Sequence, residues 1–485
     1  MATLSFGSHP GAGARSEKRL SASGSPDADR LSDELRPGSG HPEFVRGLSL
    51  FDATLLVTGT IIGSGIFLVP ADIARQVGSP GWLLMTWVIG GVMTLMAAVT
   101  YGELAAMMPH AGGQYVYLRE AHGPLIGFLY GWTLFLVIQT GSIAAVAVAF
   151  ARYAGQLAPA ISGRWQPLLA VGVILLLTAF NVRGVRTGKT IQNVFTVAKL
   201  AALAALIVPA LLRTQDGSAI HADHFWTPVR NGEVLSVSTF LPFLAMAMVG
   251  VFFSYDAWNN VTFAAGEIKN PRRNLPLCVP LGVALVMAVY VLTNLAYLCS
   301  LPLQGIQFAP GDRVGTAAAQ TMLGSSAGIF IAIGVLISTF GSNNGMILAG
   351  ARVYYAMASD GLFFRGAEEL NEQRVPSVSL IMQAAWASLL TLSGTYSQLV
   401  DYVVFAVLLF YVLTIAAVFR LRVRCPDLER PYKAFGYPWL PALYIALTTS
   451  IMIALLVYKP TFTWPGLLIV LAGVPVYYLW RRSVP

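Results

Sequence analysis

The chain has 485 residues, of which 56% are hydrophobic and only 11% charged, and its mean hydropathy is +0.65. Soluble globular proteins carry about 25% charged residues, so this composition belongs to a polytopic membrane protein with no room for a soluble catalytic domain. The net charge of +8 is explained by basic residues flanking membrane spans, and no nucleic-acid partner is implied.

Residues 1–45 are rich in Gly, Ser, Pro, Asp and Arg and lack aliphatic clusters, which reads as a disordered cytoplasmic tail. They contain no apolar run of the signal-peptide kind. Beyond them, about twelve apolar stretches approach the roughly 20 residues that span a bilayer. They run near 50–77, 81–107, 124–154, 167–182, 188–212, 236–265, 276–301, 322–357, 376–393, 397–419, 439–458 and 463–480. The expected fold class is an all-α membrane protein of about 12 transmembrane helices.

The first span holds Thr60-Ile61-Ile62-Gly63-Ser64-Gly65-Ile66-Phe67 at its centre. Each glycine weakens a helix interior by about 1 kcal/mol relative to alanine. Opened backbone in hydrocarbon is tolerated only where it is buried in protein or lines a cavity. A helix broken at that depth offers amide donors on one side and carbonyl acceptors on the other. Such a break can hold a small zwitterion without charged side chains, which points to a carrier. Close packing of small residues between helices is the competing reading.

In the second span, Glu103 is suited to pairing with a charge on the cytoplasmic side. Lys199 lies well inside the fifth span, in Phe195-Thr196-Val197-Ala198-Lys199-Leu200. It is either a proton carrier or fixed cation, or a lysine snorkelling to the interface. His221 and His224 fall in the loop 216–233 and read as solvated rather than metal-binding. No metal and no cofactor is expected.

If the first ten spans form an inverted repeat of five and five, the sixth must break as the first does. It carries Phe252-Phe253-Ser254-Tyr255-Asp256-Ala257-Trp258-Asn259-Asn260 at mid-membrane. An aspartate there costs about 2.5–3.5 kcal/mol on insertion scales, so a functional role is the default. Hydrogen bonding to a neighbouring helix is the structural alternative for Asp256, Asn259 and Asn260. Phe253 and Trp258, aromatics beside a break, are placed to close over a ligand, with ordinary core packing as the alternative.

Cys278 and Cys299 share the seventh span and Cys425 lies in a loop, none at metal-site or redox spacing. Arg352 and Asp360 flank the inner end of the eighth span and suit a gate or a helix-end ion pair. Placing the N-terminus inside puts most loop arginines and lysines in the cytoplasm, and an even span count puts the C-terminus there too. An inner-membrane protein with both termini cytoplasmic follows. No metal-ligand cluster, phosphate loop or nucleophile elbow suggests an enzyme.

Gly63-Ser64-Gly65-Ile66-Phe67, Tyr101-Gly102-Glu103-Leu104 and Gly112-Gly113-Gln114-Tyr115-Val116-Tyr117 together resemble the amino acid–polyamine–organocation superfamily. Tyr255–Asn260 with Glu267–Pro276, and Phe340–Gly345 leading to Ala351-Arg352-Val353, resemble its L-type amino acid transporters. The resemblance covers essentially everything after the tail. It implies a leucine-transporter-type 5+5 inverted repeat with helices 1 and 6 broken. Residues 46–420 would form the transport core and 421–485 two additional helices.

The resemblance also implies sodium-independent transport of L-amino acids, commonly by exchange. The substrate carboxylate would meet the amides of Ser64, Gly65 and Ile66. The ammonium would meet carbonyls around Ile61 and from Phe252 through Phe253 and Ser254 to Tyr255. Phe253 matches the family's gate, and Lys199 would replace a sodium ion, tying the first span to the eighth through carbonyls and Ser338 or Gly341. Segment 110–122 resembles the family's re-entrant loop.

Asp256 could counter a cationic substrate, although neutral amino acids are the first expectation. A proton-coupled carrier and a non-transporting amino acid sensor stand as alternatives to exchange. Ala257 departs from the family's usual glycine. No cysteine occurs in 155–166, where animal members bond a glycoprotein partner, so no disulfide-linked heavy subunit is expected. The expected partners are an L-amino acid and the lipid bilayer.

Overall fold

The computed structural model describes residues 44–161, 163–230, 232–393 and 396–483. Nearly all of the expected N-terminal tail lies outside the described residues. Among the described residues, ten helices are long and apolar enough to cross a membrane, or up to eleven spans if a bent pair counts as one. The pair is Leu50–Ile61 (α1) and Gly65–Val77 (α2), inclined by 44° across the Gly-Ser break.

Then follow α3 (Pro80–Met107), α4 (Gln114–His122), α5 (Pro124–Leu157), α6 (Gln166–Val182), α7 (Val185–Leu212) and α8 (Val237–Tyr255). The short α9 (Asn260–Phe263) precedes α10 (Pro271–Ser300), α11 (Leu303–Gln307), α12 (Val314–Leu323) and α13 (Ala327–Ser359). The chain ends in α14 (Ser377–Ser393), α15 (Tyr396–Arg424), α16 (Trp439–Tyr458) and α17 (Pro460–Ser483).

The expected ninth stretch is α14, a shorter apolar helix of 17 described residues. The expected break in the sixth stretch follows Tyr255, and only the four-residue α9 continues it.

Local chemistry sets these ends. Ser49 caps α1: the Asp52 amide donates to Ser49 Oγ, and the Ser49 amide donates back to Asp52 Oδ2. Gly78 ends α2 in the left-handed region, where a Cβ would stand 2.0 Å from the Val229 carbonyl oxygen. That carbonyl belongs to a hairpin pairing Val229–Arg230 with Glu233–Val234.

α1 packs against α7, α10 and α13, and α2 against α8, so the broken span lies inside the bundle. α16 and α17 lie outside, with Leu443, Ile453, Leu468 and Leu471 exposed as lipid-facing residues are. The face carrying Leu48 and Ile268, joined by a parallel bridge, is the near face. The face carrying Gly78, the hairpin and α11 is the far face.

Candidate functional site

A broken helix leaves its last carbonyls and its next helix's first amides without partners. Here every carbonyl from Gly59 to Gly63 is reached by a side chain. Lys199 Nζ donates to the carbonyls of Gly59 (2.7 Å), Ile62 (2.7 Å) and Ser338 (2.9 Å). Ser342 Oγ donates to Thr60 O at 2.6 Å. Ser338 Oγ lies 3.0 and 3.1 Å from the carbonyls of Ile62 and Gly63. Tyr290 Oη lies 3.1 Å from Ile61 O.

The same Tyr290 hydroxyl is 2.9 Å from Ser254 O, at the end of α8. The two breaks are thus in contact. A Cβ on Gly65 would lie 2.3 Å from Ser254 Oγ and 3.1 Å from Ser254 Cα, so only glycine allows this approach. The amides of Phe67 and Leu68 donate to Ser64 O, which leaves those of Gly65 and Ile66 ahead of the first intrahelical bond of α2. Ile61, Ser64, Gly65, Ile66 and Ser254 therefore form one constellation, buried throughout. Tyr297 Oη adds a bond to Ile66 O at 3.2 Å.

The side chains of Tyr255, Asp256 and Asn259 make their hydrogen bonds elsewhere. Tyr255 Oη donates to Trp87 O of α3 at 3.0 Å. Ala257 adopts φ +65°, the left-handed region that glycine enters freely and alanine does not. On either side of that turn, Asp256 and Asn259 meet α15: Tyr411 Oη is 2.7 Å from Asp256 Oδ1 and 3.2 Å from Asn259 Oδ1. Asn259 Nδ2 donates to Gln114 Oε1, and Gln114 Nε2 donates to Thr414 Oγ1. Trp258, 2% exposed, packs against Tyr101 and Tyr411. Phe253 is buried at the last turn of α8.

Phe252, Tyr255, Asp256, Trp258, Val404 and Tyr411 line a cavity of about 10 Å³, a size that admits a single water molecule. Asp256 is the one carboxylate in that lining.

Ion pairs close the near face. Glu267 and Arg352, each 1% exposed, pair at 2.8 Å. Glu103 accepts two bonds from Arg422 and one from the Ala434 amide. Asp52 pairs with Lys189 at 2.8 Å, and Asp360 pairs with Arg119 and accepts from Tyr115. Within α4, burial and the Asp360 charge raise the Tyr115 phenol above its usual range.

Tyr290 and Tyr411 belong to none of the motifs legible in the sequence. The spacing of Tyr290 and Tyr297 offered a signal, since residues seven apart share one helix face.

The model of the amino acid permease family matches residues 48–477. The large neutral amino acids transporter small subunit 2 of Homo sapiens is 32% identical over 96% of this chain and 85% of its own length. The human b(0,+)-type amino acid transporter 1 is 31% identical over 93% of this chain and 91% of its own length. The serine/threonine exchanger SteT of Bacillus subtilis (strain 168) is 32% identical over 89% of this chain and 96% of its own length. With its broken first span and apolar helical bundle, the chain belongs to the amino acid permease family, in the branch of the L-type amino acid transporters.

Proposed function

We propose that the chain is a sodium-independent exchanger of neutral L-amino acids, working by alternating access in the inner membrane with both termini in the cytoplasm. The near face is then cytoplasmic. The meeting of two helix ends at Gly65 and Ser254 supports this reading above all. The amides of Ser64, Gly65 and Ile66 receive the carboxylate, helped by the positive end of α2. The carbonyls of Ile61 and of Phe252 to Tyr255 receive the ammonium, each oxygen having a second lone pair beside any bond it already accepts. Phe253 and Trp258 act as the gate.

Lys199, bound to three carbonyls from two helices, supplies a fixed cation where a sodium-coupled carrier would need a metal. Residues 46–420 form the transport core and 421–485 add two helices. The human relative named for large neutral amino acids and the Bacillus relative named for serine/threonine exchange support neutral substrates and exchange. The lack of a cysteine in 155–166 is the ground for proposing a carrier without a disulfide-linked subunit.

A cationic substrate is the second reading, favoured by Asp256 in the cavity beside the break. A panel of unlabelled amino acids competing against one labelled substrate in proteoliposomes separates the two. Inhibition by neutral L-amino acids and not by lysine or arginine is expected. Binding without flux in either direction would sink transport altogether, and flux into empty liposomes driven by a pH gradient would replace exchange with proton coupling.

A further inference from the structure

At the far face, the end of α5, the start of α6 and the turn between α11 and α12 border an open cavity of about 440 Å³. Its lining is polar and charged: Arg152, Gln156, Gln166, Asp312 and Arg313, with two glycines. The volume falls within the range of roughly 300–1,000 Å³ typical of small-molecule sites. It is separate from the cavity beside Asp256, sharing no residue with it.

Two of the charged groups here are held by other residues. Arg313 is held by two bonds, from Nη1 to Gln156 Oε1 (3.0 Å) and from Nε to Pro310 O (3.1 Å). Arg152, which lines the cavity, makes no hydrogen bond or ion pair among the described residues. Asp312 accepts from Arg75 through Oδ1 at 2.8 Å. Two guanidinium groups and one carboxylate thus surround a space large enough for an amino acid. A guanidinium is the side chain best matched to a carboxylate, and an aspartate suits an ammonium.

We propose that this cavity is a second, weaker site for the amino acid itself, occupied before the ligand reaches the break. Arg152 and Arg313 hold its carboxylate and Asp312 its ammonium. The inference rests on the transport reading above. It also ties the site to a latch. Arg75, near the end of α2, binds Asp312 and the Gln307 carbonyl, while Gln307 Nε2 donates to Ala74 O. An ammonium on Asp312 competes with Arg75 and loosens α2 from the α11–α12 turn, on the side from which the ligand arrives.

The test uses the full chain in liposomes of known protein orientation, with labelled L-serine or the best substrate of the competition panel. For Arg152→Gln and Arg313→Gln, the far-side KM is expected to rise roughly 3- to 10-fold, with kcat and the near-side KM unchanged within about twofold. Arg152→Lys is expected to recover part of the loss. Raising salt from about 0.05 to 0.5 M should raise the far-side KM of the parent protein and have less effect on Arg152→Gln. A far-side KM within twofold of the parent in both arginine variants overturns the site. Equal rises on both sides overturn it too, because they mark a general structural defect. If Arg152→Gln does not assemble, Arg152→Lys and Arg313→Gln decide the matter by the same criterion. Absence of flux in the parent protein would instead overturn the transport reading on which the site depends.

Discussion

The Tyr290 hydroxyl lies 2.9 Å from the Ser254 carbonyl oxygen, and the same hydroxyl lies 3.1 Å from that of Ile61. A phenol has one proton to donate, so the ends of α1 and α8 share a single donor supplied by α10. Both carbonyls belong to the group proposed to receive the substrate ammonium. An arriving ammonium brings three donors and meets acceptors that Tyr290 has already drawn together.

Tyr290→Phe keeps the ring and removes that donor. An unsatisfied buried carbonyl costs about 1–3 kcal/mol, so a lower thermal stability of the detergent-solubilised protein is expected. Exchange is expected to slow by roughly tenfold or more, the factor that 1.4 kcal/mol represents. A variant as fast and as stable as the parent would remove Tyr290 from the site.

Lys199→Ala leaves the carbonyls of Gly59, Ile62 and Ser338 without their shared donor. Hydrogen bonds to charged groups contribute about 1.5–3 kcal/mol each. Transport is expected to be lost while the protein still inserts, as judged by membrane fractionation and uptake in parallel. Normal uptake by the variant would show that the role given to Lys199 is wrong.

Gly65→Ala places a methyl 2.3 Å from Ser254 Oγ and should push the two breaks apart. Uptake is expected to fall by at least roughly tenfold. Ser254→Gly in the same chain removes the obstructing hydroxymethyl group, and partial recovery of uptake is the diagnostic outcome. If the double variant is no better than Gly65→Ala, steric contact with Ser254 is not the cause.

Ala257→Gly relieves a left-handed backbone that costs a non-glycine residue about 1–2 kcal/mol. Alanine-to-glycine changes usually destabilise by enlarging the freedom of the unfolded chain. At φ +65° the opposite sign is expected, read as a rise in the midpoint of thermal unfolding. A lowered midpoint would mean that the Ala257 methyl contributes packing worth more than the strain.

His122, at the end of α4, has its pKa lowered from 6.5, chiefly by burial and also by Arg420, while its contact with the Leu413 carbonyl acts the other way. The folded protein therefore favours the neutral ring, and the unfolded chain binds the proton more readily. Stability from this group is full above pH 6.5 and declines as the pH falls through that value. His122→Gln should flatten this acid-side decline. An unchanged pH profile would assign the decline to other groups.

How much of this was legible beforehand follows from the distance over which each feature is encoded. The break at Gly63–Gly65 is local, because glycine weakens a helix wherever it stands, and so it could be read directly. The turn after Tyr255 was legible as a polar interruption, but its direction was not. The left-handed turn at Ala257 swings Asp256 and Asn259 toward Tyr411, some 150 residues onward in sequence. Pairings such as Gln114 with Thr414, 300 residues apart, leave no periodic trace at all. The Lys199 contacts span 137 to 140 residues and were reached through family resemblance rather than through pattern.

Leu48 sits just before α1, its amide donating to Glu267 O at 3.0 Å and its carbonyl accepting from the Lys269 amide at 2.8 Å. Main-chain bonds of this kind resist side-chain substitution and hold two strands of backbone in fixed register. The entrance to the first span and the exit from the sixth are therefore fastened like two leaves of one door at the near face. Swinging α1 outward must carry 264–270 along with it or part both bonds together. The buried Glu267–Arg352 pair extends that fastening to α13.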